Sequence, residues 1–138
     1  MNNKAYPYIR YSTAAQEKGD STRRQEDKAK VFADSHNLDL DTSLNLIDMG
    51  ISAYKGDNIE DGELSRFIDL VDKGDVEKGS CLIIENLDRF SRLNPRKAIG
   101  PFLNLINSGI KIAIIDDNAI HSDQGGFIEL LAVIVSME

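Results

Sequence analysis

Two short stretches combine a nucleophile with residues that grip phosphate. The first is Tyr8-Ile9-Arg10-Tyr11-Ser12. In an extended strand, residues 8, 10 and 12 share one side, so an arginine and a serine hydroxyl stand next to each other at the strand end. The second is Leu87-Asp88-Arg89-Phe90-Ser91-Arg92. On a helical turn, Arg89 and Arg92 are i,i+3 neighbours on one face. Three guanidinium forks around a serine suit a phosphodiester, because arginine gives bidentate, charge-assisted hydrogen bonds to phosphate oxygens. Attack by a serine oxyanion raises the negative charge at phosphorus from about one to about two. Fixed arginines stabilise that increase in the transition state. The serine–phosphate link so formed is again a phosphodiester, so a broken strand can be rejoined without ATP.

The elements that would position these groups follow from the apolar pattern. Tyr6 to Tyr11 reads as a strand entering from Pro7, where a missing N–H is tolerated. Ser21 to about His36 reads as a helix capped by Ser21, with Ala29, Phe32 and Ala33 on its buried face. Leu40 to Ile47 reads as a second strand, with Leu44 and Leu46 on one face. Asp48 to Asp61 is a long polar loop, the kind that often carries function. A second helix opens at Gly62 or Glu63, carries Leu64, Phe67, Ile68 and Val71, and ends near Lys73-Gly74. Ser80 to Ile84 is a buried strand by its continuous apolar run. Asn94-Pro95 starts a third helix with Ile99, Phe102, Leu103 and Ile106, stopping at Gly109. Ile110 to Ile115 is a further buried strand. Phe127, Leu130, Leu131, Ile134 and Met137 form a last helical stripe.

Strands alternating with helices predict an α/β fold. The expectation is a three-layer α/β/α domain with a mainly parallel, partly mixed sheet of four to five strands. Active sites in such sheets lie at the carboxyl ends of the strands. Arg10/Ser12, Asp48/Ser52 and Asp88/Arg89/Arg92 all fall there. The last apolar stripe is still running at Glu138 with no C-cap, so the chain is expected to be part of a longer protein.

Composition narrows the class. The chain has 138 residues, 41% hydrophobic and 28% charged, which fits one globular domain. No apolar run is long enough for a membrane span, and no secretory signal is visible. A cytoplasmic location is expected. The single cysteine, Cys81, sits in an apolar run and is read as core. No Cys/His spacing suggests a metal site. The net charge of −7 speaks against coating nucleic acid by bulk electrostatics. Local basic clusters remain at Arg23-Arg24 and at Arg89, Arg92 and Arg96. DNA affinity would then come mainly from regions outside these residues.

On these residues the chain resembles the resolvase/invertase serine recombinases. The likeness spans nearly the whole chain. It rests on Tyr8-x-Arg10-x-Ser12, Gln16, Ser21-x-x-x-Gln25, Asp48 followed by Ser52, Leu87-Asp88-Arg89-x-x-Arg92 and Ile115-Asp116-Asp117. The Gly19-Asp20-Ser21 spacer and the long loop after Asp48 look more like the large serine recombinases of phages and mobile elements. The resemblance implies a resolvase-like catalytic domain over residues 1–138. Residues 126–138 would begin a long dimerisation helix, and the DNA-binding regions would lie elsewhere. Ser12 would attack the scissile phosphate of double-stranded DNA, giving a 5′-phosphoserine link and a free 3′-OH. Arg10, Arg89 and Arg92 would bind the phosphate. Asp88 would orient an arginine or help take the serine proton. Tyr8, Gln16, Gln25, Asp48 and Ser52 would support the site. No metal, nucleotide or other cofactor is implied, and a dimer would assemble to a tetramer for strand exchange.

One departure stands out. The family usually has a further arginine before the second helix. Residues 54 to 64 here contain none, and the nearby cations Lys55 and Arg66 are not at the matching place. Other readings stay open beside the enzyme: a resolvase-like module that only assembles on DNA, and an α/β signalling domain of the receiver type. Asp116-Asp117 is read as a turn or helix cap, with magnesium binding the alternative. His36 is read as a surface residue. Neither histidine falls near the Ser12 group, so a Ser-His-Asp triad is not expected.

Overall fold

The computed structural model describes residues 3–11, 20–49, 62–86 and 95–123. Its centre is built from the two apolar runs. Strands β4 (Cys81–Ile84) and β5 (Lys111–Ile114) are buried along almost their whole length. Both therefore need cover on two faces. Strand β1 (Lys4–Tyr11) lies beside β4, and the short β2 (Asp39–Leu40) lies beside β1. Strand β3 (Leu46–Met49) takes over from β2 further along β1. All these pairings are parallel. A last strand, β6 (Ala119–His121), runs antiparallel to β5 and makes the sheet mixed.

Side-chain alternation divides the core. On one face Ala5, Cys81, Ile83 and Ala113 meet Ala29, Phe32 and Ala33 of helix α1 (Asp20–Ser35). On the other, Tyr6, Tyr8, Leu82, Ile84, Ile112 and Ile114 meet two helices. These are α2 (Glu63–Asp72), through Leu64, Phe67 and Val71, and α3 (Pro95–Asn107), through Phe102, Leu105 and Ile106. The result is the three-layer α/β/α arrangement that the alternating pattern predicts. Cys81 is buried, as its apolar run implies.

Pro7 sits inside a central strand, which is unusual because it cannot donate to a ladder. The carbonyls of Asn3 and Ala5 accept the N–H groups of Asp39 and Asp41 at 2.8 Å each. By the two-residue alternation, position 7 would aim its N–H at that same side. There β2 has ended at the level of Ala5 and β3 begins at the level of Tyr8. The proline thus faces a gap between two short strands.

Three details differ from the sequence expectation. The strand expected over Leu40 to Ile47 is split. Asp41 accepts the Ser43 N–H at 2.8 Å and Lys4 Nζ at 2.9 Å, and Asn45 takes a positive φ of 52°, so the chain turns between β2 and β3. Helix α1 starts at Asp20, so Ser21 lies inside it and is not its cap. Among the described residues the sheet has six strands instead of four to five, because β2 and β3 are separate and β6 closes a hairpin through Asn118 at φ 49°. Helix α2 ends as expected, with Gly74 at φ 84°. Among the described residues no helix is long and apolar enough to cross a membrane.

Candidate active site at the carboxyl ends of the strands

The parallel strands β1, β3 and β4 all end on the same side of the molecule. Arg10 and Asp48 are direct register partners on β1 and β3. The β1–β4 register pairs Pro7 with Ile83. Counted on by three residues, it brings the level of Arg10 to Asn86, just before the segment holding Asp88, Arg89 and Arg92. Those three residues lie outside the described residues. So do Ser12, Gln16, Ser52, Lys55 and the stretch 126–138.

Four of the expected site residues are described, and the fold brings them together. Arg10 is 2% exposed, an extreme value for a guanidinium. Its backbone is held by Gln25 from the first half of α1. The Gln25 side chain donates from Nε2 to the Arg10 carbonyl at 2.8 Å and accepts the Arg10 N–H on Oε1 at 3.3 Å. The reason is topological. Among the described residues the β1–β4 ladder ends at Pro7 and Ile83, three residues before Arg10. A primary amide carries one donor and one acceptor and replaces the missing peptide. Gln25 is itself buried, so both bonds are shielded from water.

Tyr8 and Asp48 form the second pair. The Tyr8 hydroxyl donates to Asp48 Oδ2 at 2.9 Å. The same carboxylate accepts the backbone N–H of Glu63 at 3.0 and 3.2 Å. Gly62 stands at the N-cap of α2 and makes no side-chain cap bond. Asp48 supplies that function from a neighbouring strand, with its negative charge at the positive end of the helix. Burial nevertheless pushes the Asp48 carboxyl above its ordinary range, against the lowering effect of the Tyr8 and Glu63 bonds.

Of the two cations near the absent loop arginine, Arg66 is the described one. Its guanidinium pairs with Glu63 and donates to the carbonyl of Leu44. Leu44 lies before the start of β3, four residues before Asp48. The cation is turned toward the entry of the strand.

A further group was not singled out from the sequence. Glu85, the first residue after β4, is 6% exposed. Arg24 reaches its Oε2 at 2.7 Å, and Lys28 reaches the same oxygen at 2.7 Å. The Glu85 carboxylate raises the pKa of the Arg24 guanidinium. Lys28 also stands 3.7 Å from Asp116. The available signal was an acid set directly after a buried strand, opposite cations spaced i,i+4 on the first helix. Asp116 lies in the turn after β5, which the Asn118 N–H closes on the Ile115 carbonyl at 2.9 Å, in line with the turn reading; its own N–H donates across to the Glu85 carbonyl at 3.0 Å. His36 lies at the surface, half-buried, where it stacks on Phe32 and contacts Asn118 at 3.0 Å. A cleft of 680 Å³ beside α1 is lined by Arg24, Lys28, Phe32, Ile115 and Asn118 among others. It includes none of Tyr8, Arg10 and Asp48, so the chemistry is assigned to the strand ends.

Comparison with known proteins places this geometry. The family model described as "Resolvase, N terminal domain" matches residues 5–138. The uncharacterized protein YbcK of Escherichia coli (strain K12) is 34% identical over 122 residues, covering 86% of this chain and 23% of that protein. The chain therefore spans about a quarter of the length of this relative. Among solved structures, the N-terminal catalytic domain of TP901-1 integrase superposes with a TM-score of 0.67 at 22% identity, over 97% of this chain and 93% of that one. A resolvase family site-specific recombinase from Streptococcus pneumoniae gives 0.66 at 18% identity, over 97% and 86%. These two likenesses show the fold. Taken with the family match across residues 5–138, they leave one conclusion: the chain belongs to the resolvase family and carries its N-terminal domain.

Proposed function

We propose that the chain is the catalytic domain of a serine site-specific DNA recombinase. The observation that carries this reading is Arg10: a buried guanidinium at the carboxyl end of a central strand, two residues before Ser12, in a chain matched by the resolvase family over residues 5–138. In this account the Ser12 hydroxyl attacks a phosphodiester of double-stranded DNA. The Ser12 Oγ–P bond forms as the P–O3′ bond breaks. The serine proton leaves with help from Asp88, and the departing oxygen gains a proton to become a free 3′-OH. Arg10, Arg89 and Arg92 answer the charge that builds on the phosphoryl oxygens. Rejoining is the same exchange in reverse, with a new 3′-OH attacking the phosphoserine.

Tyr8, Gln25 and Asp48 act through position. Gln25 holds the backbone of Arg10, while Tyr8 and Asp48 tie β1 and β3 to the start of α2. Gln16 and Ser52 complete the supporting group. The reaction needs no metal or nucleotide. The partners are duplex DNA and further copies of the protein, as a dimer assembling to a tetramer through a helix starting in 126–138. A cytoplasmic setting follows from that substrate.

The test is covalent capture. A labelled duplex, enriched from a random-sequence pool by the intact protein, is incubated with it and resolved under denaturing conditions. A protein–DNA adduct that disappears with Ser12→Ala supports the enzyme. A second reading has one observation in its favour: residues 54 to 64 hold no arginine, and Arg66 is engaged elsewhere. A module that only assembles on DNA would bind the duplex and form no adduct.

A further inference from the structure

Burying a carboxylate is costly, and a well-packed apolar residue usually does as well or better for stability. Glu85 therefore calls for a reason. It lies one residue past β4 and three before Asp88. Its carboxylate holds two cations from successive turns of α1, with a fork from Arg24 (2.7 and 3.5 Å) and Lys28 at 2.7 Å. Lys28 extends the set to Asp116 after β5, so two positive and two negative side chains meet at the ends of β4 and β5. The residue next to Arg24 is Gln25, which grips Arg10 by both backbone groups. Helix α1 is thus fastened within one turn to two strand ends: to β1 through Gln25 and to β4 through Glu85.

We propose that Glu85 is a positioning residue: its bridge to Arg24 and Lys28 fixes the end of β4 against α1, and so against the Arg10 backbone that Gln25 holds. In sequence the chain runs on from Glu85 to Asp88, Arg89 and Arg92. The inference rests on the recombinase reading and deepens it, by naming what aligns two parts of the site that are distant in sequence. Glu85 touches no DNA in this account. Its effect falls on the chemical step, where a misplacement of about 1 Å can cost ~10²-fold in rate.

The experiment uses the intact protein and the enriched labelled duplex, and follows the rate of adduct formation at saturating protein. Half-saturating concentration and melting temperature are measured alongside. Glu85→Gln removes the charge that holds both cations. Arg24→Gln removes the fork from the other side, at a half-exposed position, and leaves Lys28 on the carboxylate. Both variants are expected to lose about 10- to 100-fold in the saturated rate. Half-saturation should stay within about twofold of the unaltered protein, and the melting temperatures show that each variant is folded under the assay conditions. Unchanged rates in either folded variant overturn the inference. So does a loss that appears in half-saturation alone, because Arg24 would then be a DNA contact. If the unaltered protein forms no adduct, the recombinase reading itself fails and takes this inference with it.

Discussion

The grip of Gln25 on Arg10 can be weighed on its own, without DNA. Replacing Gln25 by Leu keeps most of the volume and removes both hydrogen bonds. The buried Arg10 N–H and C=O then lose the two bonds that the Gln25 amide makes to them. An unsatisfied buried polar group costs ~1–3 kcal/mol. The carbonyl bond, at 2.8 Å, is the stronger, and the 3.3 Å bond sits at the low end of that range. Leucine returns some stability through apolar burial, so the net loss is expected at about 2–4 kcal/mol. That is a large share of the ~5–15 kcal/mol that holds a domain. Urea melts followed by circular dichroism should show an earlier midpoint with an unchanged slope. Gln25→Glu adds a second signature. Its carboxylate still accepts the Arg10 N–H, but it sets a charged oxygen against the Arg10 carbonyl. Burial and that contact raise the pKa of the new carboxyl in the folded state. The stability it contributes when protonated is present below its unfolded pKa and is lost as pH rises through the raised folded value. The glutamate variant should therefore approach the native protein in acid and fall away toward neutrality, while the leucine variant shows no such recovery. A leucine variant within about 0.5 kcal/mol of the native protein, or a glutamate variant with no pH dependence of its own, would refute the reasoning.

Asp48 gives a related outcome. Burial raises its pKa in the folded state, so its neutral form is favoured; that contribution is present below the ordinary 3.8 and is lost as pH rises through the raised value. Asp48→Asn keeps an acceptor for the Glu63 N–H, so its stability relative to the native protein should improve as pH climbs across the acid range; a flat difference in urea melts counts against it. Asp41 behaves oppositely: bonds from Ser43 and Lys4 hold its pKa at about 2, so its stabilisation is present above the ordinary 3.8 and fades only as pH falls toward 2. Asp41→Asn should abolish that acid-side fade. The Cys81 thiol is pushed up to about 12 by burial, so iodoacetamide should leave it unlabelled in the native protein and modify it readily in denaturant. Phe67 is fully buried with its ring 5.8 Å from that of Tyr6, so Phe67→Ala should cost ~3–5 kcal/mol by calorimetry or urea melts.

Much of the fold could be read in advance because it depends on local pattern. The runs around Leu82 to Ile84 and Ile112 to Ile114 have no polar face, so they had to be central strands. Leu64, Phe67 and Val71 repeat at helical spacing and are the buried face of α2. The splitting of β2 from β3 was hidden, because it depends on Lys4 reaching Asp41 from 37 positions away. β6 was missed because three half-exposed residues after a turn carry no apolar alternation; the Asp116-Asp117-Asn118 turn was its one signal. Within the site, Arg10 was singled out by its spacing to Ser12 and Asp48 by its strand-end position, and Tyr8 and Gln25 by the resemblance, but what each side chain holds was not legible. The reason Gln25 matters is that a strand stops short beside Arg10, which only the sheet register reveals. Asp48 caps a helix that begins 15 residues later, across a loop whose length says nothing of closure. Glu85 escaped notice because its partners come from α1, 57 and 61 positions earlier.

The central claim is that Ser12, and no other residue, becomes covalently joined to DNA. The direct measurement is mass spectrometry of the trapped adduct after nuclease and trypsin digestion. Cleavage after Arg10 and Lys18 releases Tyr11-Ser12-Thr13-Ala14-Ala15-Gln16-Glu17-Lys18 as one peptide. The account predicts a 5′-phosphonucleotide remnant on the Ser12 hydroxyl of that peptide. A remnant on Tyr11, on Thr13 or on any other peptide, or no adduct from active protein, would contradict it.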